Sequence, residues 1–250
     1  MAGVSEPLLL LHGFTQTGRG WDEVVRHLAG ETYRPLAPDL RGHGAAGPRR
    51  PIDMDACVRD VVDLPAGRFA LAGYSMGGRI ALHVALAHPD RVSRLVLVST
   101  TAGIDDPRER ARRRARDDEL AGWMARHTIA EVADRWGAQP LFAGQPPHVA
   151  AAARADRLRN VPEHLAAALR GLGTGAMAPL WERLGELRMP VAVLAGERDV
   201  KFVALARRLA GALERASLTI VPGAGHALAL EAPAAVAAAI SGSAPAPRGP

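Results

Sequence analysis

The sequence has 250 residues, of which 48% are hydrophobic, with a formal net charge of +5 and a single cysteine. This much apolar sequence can bury a sizeable core, and one cysteine excludes an internal disulfide, which suits a reducing compartment. The first residues carry no basic segment, and the apolar run Leu8 to Leu11 is too short for a signal peptide or a membrane span. We therefore expect a cytoplasmic protein without membrane insertion.

Because the chain is positively charged, nucleic acid is the first binding partner to consider. Against it, Lys201 is the only lysine, acidic residues occur throughout the sequence, and few aromatic side chains are available for stacking on bases. The sequence contains neither zinc-ligand spacing nor an RNA-binding signature. We therefore expect a small-molecule substrate and no nucleic acid, and the oligomeric state stays open.

Short apolar runs alternate with longer helical patterns through the first hundred residues and again after residue 190. The predicted strands are 7–11, 34–37, 69–74, 94–99, 190–196 and 218–223. The predicted helices are 21–28, 54–64, 76–88, 202–213 and 233–240. Near-continuous apolar strands that alternate with helices predict an α/β fold, with a mostly parallel sheet covered by helices on both faces.

The alternation stops between residues 102 and 187. This stretch has no strand pattern, is helical and arginine-rich, and is too long for a loop. We interpret it as a helical lid inserted into a core formed by residues 1–101 and 188–240. The last segment, SGSAPAPRGP at 241–250, predicts a disordered tail.

The stretch GYSMG at 73–77 lies between a predicted strand and a predicted helix. A serine on such a turn occupies a strained backbone position, and the flanking glycines remove side chains that would clash. A serine needs a base and an orienting acid, which follow in the chain order serine, acid, histidine. Asp199 and His226 each follow a later strand, so we predict a Ser75–His226–Asp199 triad in which Asp199 orients the imidazole.

An oxyanion hole needs two backbone N–H groups directed at developing negative charge. The sequence predicts the N–H of Met76, directly after the serine, and that of Phe14 in the loop LHGFT. The polar residues His12, Asp39 and His43 in the neighbouring loops are interpreted as structural.

Arg79 follows the serine by one helical turn, and side chains on a helix lean toward its N-terminus. Apolar neighbours predict that this helix is largely buried, and a buried guanidinium needs an anion such as a substrate carboxylate. The alternative is a surface arginine paired with a carboxylate elsewhere. The lid segment 109–121 adds an arginine run, most of which is typical of a solvated helix, and Arg159 follows later.

Several motifs together resemble one family. They are LHGFTQTG (11–18), GYSMGGR (73–79), ERARRRARDDELA (109–121), RWGAQPLFAGQ (135–145), LRN (158–160), GTG (173–175), GERDVKF (196–202) and GAGHALALE (223–231). The serine turn GYSMG and the predicted triad resemble those of the α/β-hydrolase superfamily. The lid motifs resemble, more narrowly, the menaquinone-pathway family of 2-succinyl-6-hydroxy-2,4-cyclohexadiene-1-carboxylate synthases.

The resemblance implies an α/β-hydrolase fold with a lid and a lyase that eliminates pyruvate from 2-succinyl-5-enolpyruvyl-6-hydroxy-3-cyclohexene-1-carboxylate. It implies no metal or organic cofactor, and it makes Ser75 a base toward a substrate carbon acid. The implied anion-binding residues are Arg79, Arg113 and Arg159, with Arg114 as the alternative to Arg113. Tyr74 and Trp136 are implied to line the pocket.

Three alternatives use the same sequence features. A carboxylester hydrolase would form an acyl-serine and consume water, and a carbon–carbon-bond hydrolase would also bind an acidic substrate. A binding protein without catalysis is the third, although binding alone gives no reason for a complete triad. Comparing p-nitrophenyl ester turnover with pyruvate release distinguishes these functions.

Overall fold

The computed structural model describes residues 5–28 and 32–242. Its centre is a six-stranded sheet in the order β2-β1-β3-β4-β5-β6, in which every pairing is parallel. The strands are β1 (Glu6–Leu11), β2 (Tyr33–Leu36), β3 (Phe69–Tyr74), β4 (Val92–Val98), β5 (Val191–Gly196) and β6 (Ala216–Val221). The predicted parallel sheet is confirmed.

Helices cover both faces of this sheet. They are α1 (Asp22–His27), α2 (Met54–Asp63), α3 (Met76–Ala87), α8 (Val200–Ala212), α9 (Leu228–Glu231) and α10 (Pro233–Ser241). Alternate strand residues face opposite sides. Leu9 and Leu11 therefore join an apolar cluster with α2, α3 and α8, whereas Leu8 and Leu10 join one with α1 and α10. Burial on both faces explains the unbroken apolar strand sequences.

The residues between β4 and β5 form four longer helices, α4 (Pro107–Met124), α5 (Ile129–Gly137), α6 (Pro147–Arg157) and α7 (Pro162–Leu172), here called the lid helices. In this fully described stretch there is no strand, as predicted. Thr128 and Glu131 form a capping box that begins α5. A small apolar cluster that includes Met124, Val132 and Leu165 holds α4, α5 and α7 together.

Some boundaries differ from the predictions. Strand β6 begins at Ala216 because that residue pairs with Val191 of β5. The predicted tail is wrong at its start, since Ser241 still belongs to α10 and Gly242 ends the helix in the left-handed conformation, with φ 75°. Residues 243–250 lie outside the described residues. Within the described ranges, no helix has the length and apolar character needed to cross a membrane.

Candidate active site

Ser75 lies on the tight turn between β3 and α3, with φ 51° and ψ −106°. A non-glycine residue in such a conformation costs about 1–3 kcal/mol and persists only where its surroundings enforce it. A Cβ at Gly73 would lie 2.4 Å from the Gly77 carbonyl oxygen, and one at Gly77 would lie 2.0 Å from the Leu11 carbonyl oxygen. The Ser75 N–H donates to the Val98 carbonyl at 2.9 Å. Because Gly73 and Gly77 have no Cβ, the backbone of the turn can approach β1 and α3 this closely with Ser75 at its tip.

The structure brings Ser75, His226 and Asp199 together at the carboxyl ends of β3, β5 and β6. The Nδ1 of His226 donates to Asp199 Oδ2 at 2.6 Å, and its Nε2 lies 3.4 Å from Ser75 Oγ. With the proton on Nδ1, Nε2 is free to accept the serine proton. Asp199 also caps α8 by accepting the Phe202 N–H at 3.3 Å. The cap and the imidazole together hold the carboxylate in one orientation.

Glu231, to which sequence reasoning assigned no role, holds the backbone on both sides of the histidine. Its carboxylate accepts the N–H of Gly225 at 2.7 Å and that of Ala227 at 3.2 Å. Its side chain is 2% exposed and pairs with Arg198 at 2.8 Å. Glu231 is the only acidic residue in the motif GAGHALALE, and this is the signal that could have identified it.

The predicted oxyanion-hole residues Phe14 and Met76 line the same cavity as Ser75. Met76 is the first residue of α3, so its N–H has no acceptor within the helix. The Phe14 N–H donates to no acceptor among the described residues. Both groups are therefore available to an anion beside the serine.

Two buried histidines support the loop that carries Phe14. The Nε2 of His12 accepts the Leu40 N–H at 2.9 Å, and that of His43 accepts the Thr15 N–H at 3.2 Å. Burial is the main cause that lowers the pKa of each imidazole, and a neutral ring is the form that can accept these bonds. Both histidines hold backbone in place, in agreement with the structural role expected from the sequence.

A cavity of about 480 Å³ lies between the serine and the lid helices. Trp136 lines it, and the Trp136 ring packs edge-on against Phe14 with 4.9 Å between centroids. Tyr74 is instead buried behind the histidine, with 5.4 Å between its ring centroid and that of His226. Burial raises the pKa of the Tyr74 phenol. Tyr74 therefore packs against the His226 imidazole and does not line the cavity.

Arg79 lines the cavity and is 7% exposed. Its guanidinium donates to the Leu172 carbonyl and lies 3.7 Å from the sulfur of Met177. Burial, with a smaller contribution from the nearby charge of Arg113, lowers the pKa of Arg79 to about 10, so it remains charged at neutral pH. In the described part of the chain, no carboxylate forms an ion pair with it.

Arg113 and not Arg114 faces the cavity. Its Nε donates to Asp117 Oδ1 at 2.8 Å. The backbone of Arg114 instead packs against Gly175, and Arg114 lines a separate pocket between α4 and α7. The sequence left open whether Arg113 or Arg114 lies toward the cavity, and the packing of α4 places Arg113 there.

The structure does not bring Arg159 to the cavity. Its side chain is 50% exposed and lies 3.9 Å from Asp156. Arg157, which the sequence did not single out, is 4% exposed and lies 5.1 Å from the centre of the Phe142 ring, which packs against His226 at 5.9 Å. Its Nε has no hydrogen-bond partner among the described residues, and burial lowers its pKa. The sequence RLRN contains both arginines. Arg157 is the last residue of α6 and is buried, whereas Arg159 follows the helix and is half exposed.

Comparisons with known proteins show the family to which the chain belongs. A model of the alpha/beta hydrolase family matches residues 8–239. The chain is 35% identical over 233 residues to the 2-succinyl-6-hydroxy-2,4-cyclohexadiene-1-carboxylate synthase of Salmonella paratyphi C (strain RKS4594), which covers 92% of this chain and 90% of that protein.

Two solved structures are also similar. MenH from S. aureus superposes with a TM-score of 0.88 at 30% identity, over 95% of this chain and 92% of that one. A thermophilic esterase from Thermogutta terrifontis with malate bound gives 0.82 at 28% identity, over 96% and 89%. The chain is therefore an enzyme of the α/β-hydrolase family, similar over nearly all of its length to 2-succinyl-6-hydroxy-2,4-cyclohexadiene-1-carboxylate synthases.

Proposed function

We propose that this enzyme eliminates pyruvate from 2-succinyl-5-enolpyruvyl-6-hydroxy-3-cyclohexene-1-carboxylate in menaquinone biosynthesis. The observation that carries the proposal is Arg79, a buried guanidinium in the cavity of the nucleophile with no carboxylate partner among the described residues. Such a group is stable only with an anion or with strong compensating hydrogen bonds. A substrate with three carboxylates supplies that anion.

The proposed chemistry uses the triad as a base. His226 Nε2 accepts the proton of Ser75 Oγ, and the oxygen removes a proton from the carbon acid of the substrate. The N–H groups of Phe14 and Met76 stabilise the charge that develops on the succinyl carbonyl. The ring gains a carbon–carbon double bond as its bond to the enolpyruvyl oxygen breaks. The leaving group takes up the proton and departs as pyruvate, and no water is consumed.

The cationic side chains give the cavity its proposed preference. Arg79 and Arg113 line it together. Arg157 does not line it but is a buried guanidinium against Phe142, whose ring packs on His226. We include Arg157 in place of the sequence-predicted Arg159 because its Nε lacks a partner, whereas Arg159 is half exposed. Each charge-assisted contact contributes about 1.5–3 kcal/mol, enough to favour a polycarboxylate over a neutral ester.

The test is release of pyruvate by the purified enzyme from the enolpyruvyl substrate, with p-nitrophenyl acetate as the neutral comparison. The proposal expects pyruvate release with a much higher kcat/KM than ester hydrolysis, and no acyl group on Ser75 by mass spectrometry during turnover. Ester hydrolysis without pyruvate release would overturn it.

A carboxylester hydrolase is the second candidate. The complete hydrogen-bonded triad and the likeness to a malate-bound esterase favour it. It expects an acyl-serine during turnover and consumption of water. The arginines would then select an ester that carries a carboxylate.

A further inference from the structure

The segment after lid helix α6 is hydrogen-bonded to the loop that carries Phe14. Asn160, the only asparagine of the sequence, is 5% exposed. Its Nδ2 donates to the Thr15 carbonyl at 2.9 Å, and its Oδ1 accepts the Gly44 N–H at 2.9 Å. One buried amide thus joins the lid helices to two loops beside the nucleophile.

Thr15, the residue that Asn160 holds, has a strained backbone. Its φ is 68°, a conformation rarely adopted by a β-branched residue. Its hydroxyl is buried without a hydrogen-bond partner in the described ranges, so the side chain offers no compensation. The Thr15 N–H is bound by His43 and its carbonyl by Asn160. These two bonds hold the residue from both ends in a conformation that it would otherwise leave.

A second contact fastens the same loop to the lid. The Asp156 carboxylate accepts the N–H of Thr17 at 2.9 Å and also the Thr17 hydroxyl. Asp156 is 8% exposed and lies in the last turn of α6, just before the segment that carries Asn160. The lid therefore contacts the loop on both sides of Gln16, and the position of the loop depends on this end of α6.

We propose that Asn160 is a positioning residue that keeps the Phe14 N–H directed into the cavity by holding Thr15 at positive φ. The peptide between Phe14 and Thr15 holds the Phe14 carbonyl and the Thr15 N–H. A return of Thr15 to negative φ turns this peptide relative to the Thr15 carbonyl that Asn160 binds, and so moves the Phe14 backbone, with its N–H, out of its present orientation. The proposal rests on the proposed function in one respect, the role of Phe14 as an oxyanion donor.

Replacing Asn160 with alanine removes the bond to the Thr15 carbonyl. We expect kcat for pyruvate release to fall by about 10²-fold, because loss of one oxyanion donor costs about 10²–10³ in kcat. KM should change little, since the donor acts on charge that develops in the transition state. Ester hydrolysis should fall in parallel, because its carbonyl develops the same charge. Asn160→Asp, of equal size, keeps the acceptor for Gly44 and lacks the donor, and should show the same loss.

The decisive variant combines Asn160→Ala with Thr15→Gly. Glycine adopts positive φ without steric cost and removes the unpartnered hydroxyl. The double variant should therefore recover at least tenfold of the kcat lost in Asn160→Ala. A purely structural role predicts the opposite, because glycine adds freedom to a loop already loosened. Arg154→Ala is the matched control, since this α6 residue forms only an exposed ion pair with Asp134 and should retain the wild-type rate.

The outcomes separate this inference from the proposed function. An Asn160→Asp enzyme with wild-type kcat, or a double variant without recovery, would overturn the positioning role. Absence of pyruvate release in the wild type would overturn the proposed function alone, because ester hydrolysis would still report the effect of Asn160. Should Asn160→Ala fail to fold, Asn160→Asp with and without Thr15→Gly gives the same comparison.

Discussion

The proposed triad and the cavity arginines lie within one site but differ in their bonding. His226 is bound to Asp199 on one side and approaches Ser75 on the other, so each polar group has a partner within the chain. Arg79, also buried, has a carbonyl and a sulfur atom as neighbours but no carboxylate partner among the described residues. The acid–base groups are thus paired with one another and Arg113 is paired with Asp117, whereas Arg79 has no carboxylate partner among the described residues. This difference is the reason that we propose an anionic ligand for Arg79.

The largest expected effect on kcat comes from removing Ser75 or His226. Ser75→Ala and His226→Ala should each lower kcat by at least about 10³-fold, because either loss removes the proton transfer. The double variant should be little slower than each single one, since the two residues act as a unit. Single-turnover pyruvate release measures this. Near-normal turnover by Ser75→Ala would contradict the base assignment.

Substitutions of Arg79 should affect the anionic substrate and not a neutral ester. Arg79→Ala should lower kcat/KM for the tricarboxylate about ten- to a hundredfold, since a charge-assisted contact worth about 1.5–3 kcal/mol is lost. Arg79→Lys should recover only part of this, because a point charge cannot replace a bidentate fork. The matched measurement is p-nitrophenyl acetate hydrolysis, which should barely change. A parallel fall in ester turnover would mean that Arg79 supports the turn structurally.

Arg157 and Arg159 form a matched pair that sharpens the comparison. Both are arginines of one segment, but only Arg157 is buried. Arg157→Ala should lower kcat/KM for the tricarboxylate about tenfold, in line with one charge-assisted contact. Arg159→Ala should remain within about twofold, since an exposed ion pair contributes little. The reverse order of effects would reinstate the sequence-based prediction.

The smallest expected effect is on the pH dependence of stability, through the buried histidines His12 and His43. Burial and the neighbouring His12 lower the pKa of His43 well below its ordinary value of 6.5. The folded state therefore binds fewer protons than the unfolded state, and stability present above pH 6.5 declines as the pH falls below it. Urea unfolding should show the wild type losing stability relative to His43→Asn between pH 7 and pH 5. A difference independent of pH would contradict the neutral-imidazole assignment.

Sequence reasoning succeeded where the signal is local. The elbow glycines, the order of serine, acid and histidine, and the strands that precede them all follow from neighbouring residues, and the structure brings those residues together. Phe14 and Trp136 were also anticipated, and both line the cavity. Arg159 and Tyr74 were expected in the cavity but do not line it, because their positions depend on where α6 ends and on what packs behind the His226 imidazole.

By itself the sequence determined the parallel α/β core, the helical insertion and the tight turn that carries Ser75. Apolar periodicity and turn chemistry act over a few residues, so they can be read without coordinates. Only the tertiary structure decided which arginines face the cavity, since Arg113 and Arg114 differ by 100° around α4 and only packing selects a face. The bonds of Asn160 to Thr15 and of Glu231 to Gly225 likewise join residues whose proximity depends on how the loops fold together. Long-range contacts of this kind leave no periodic trace in the sequence.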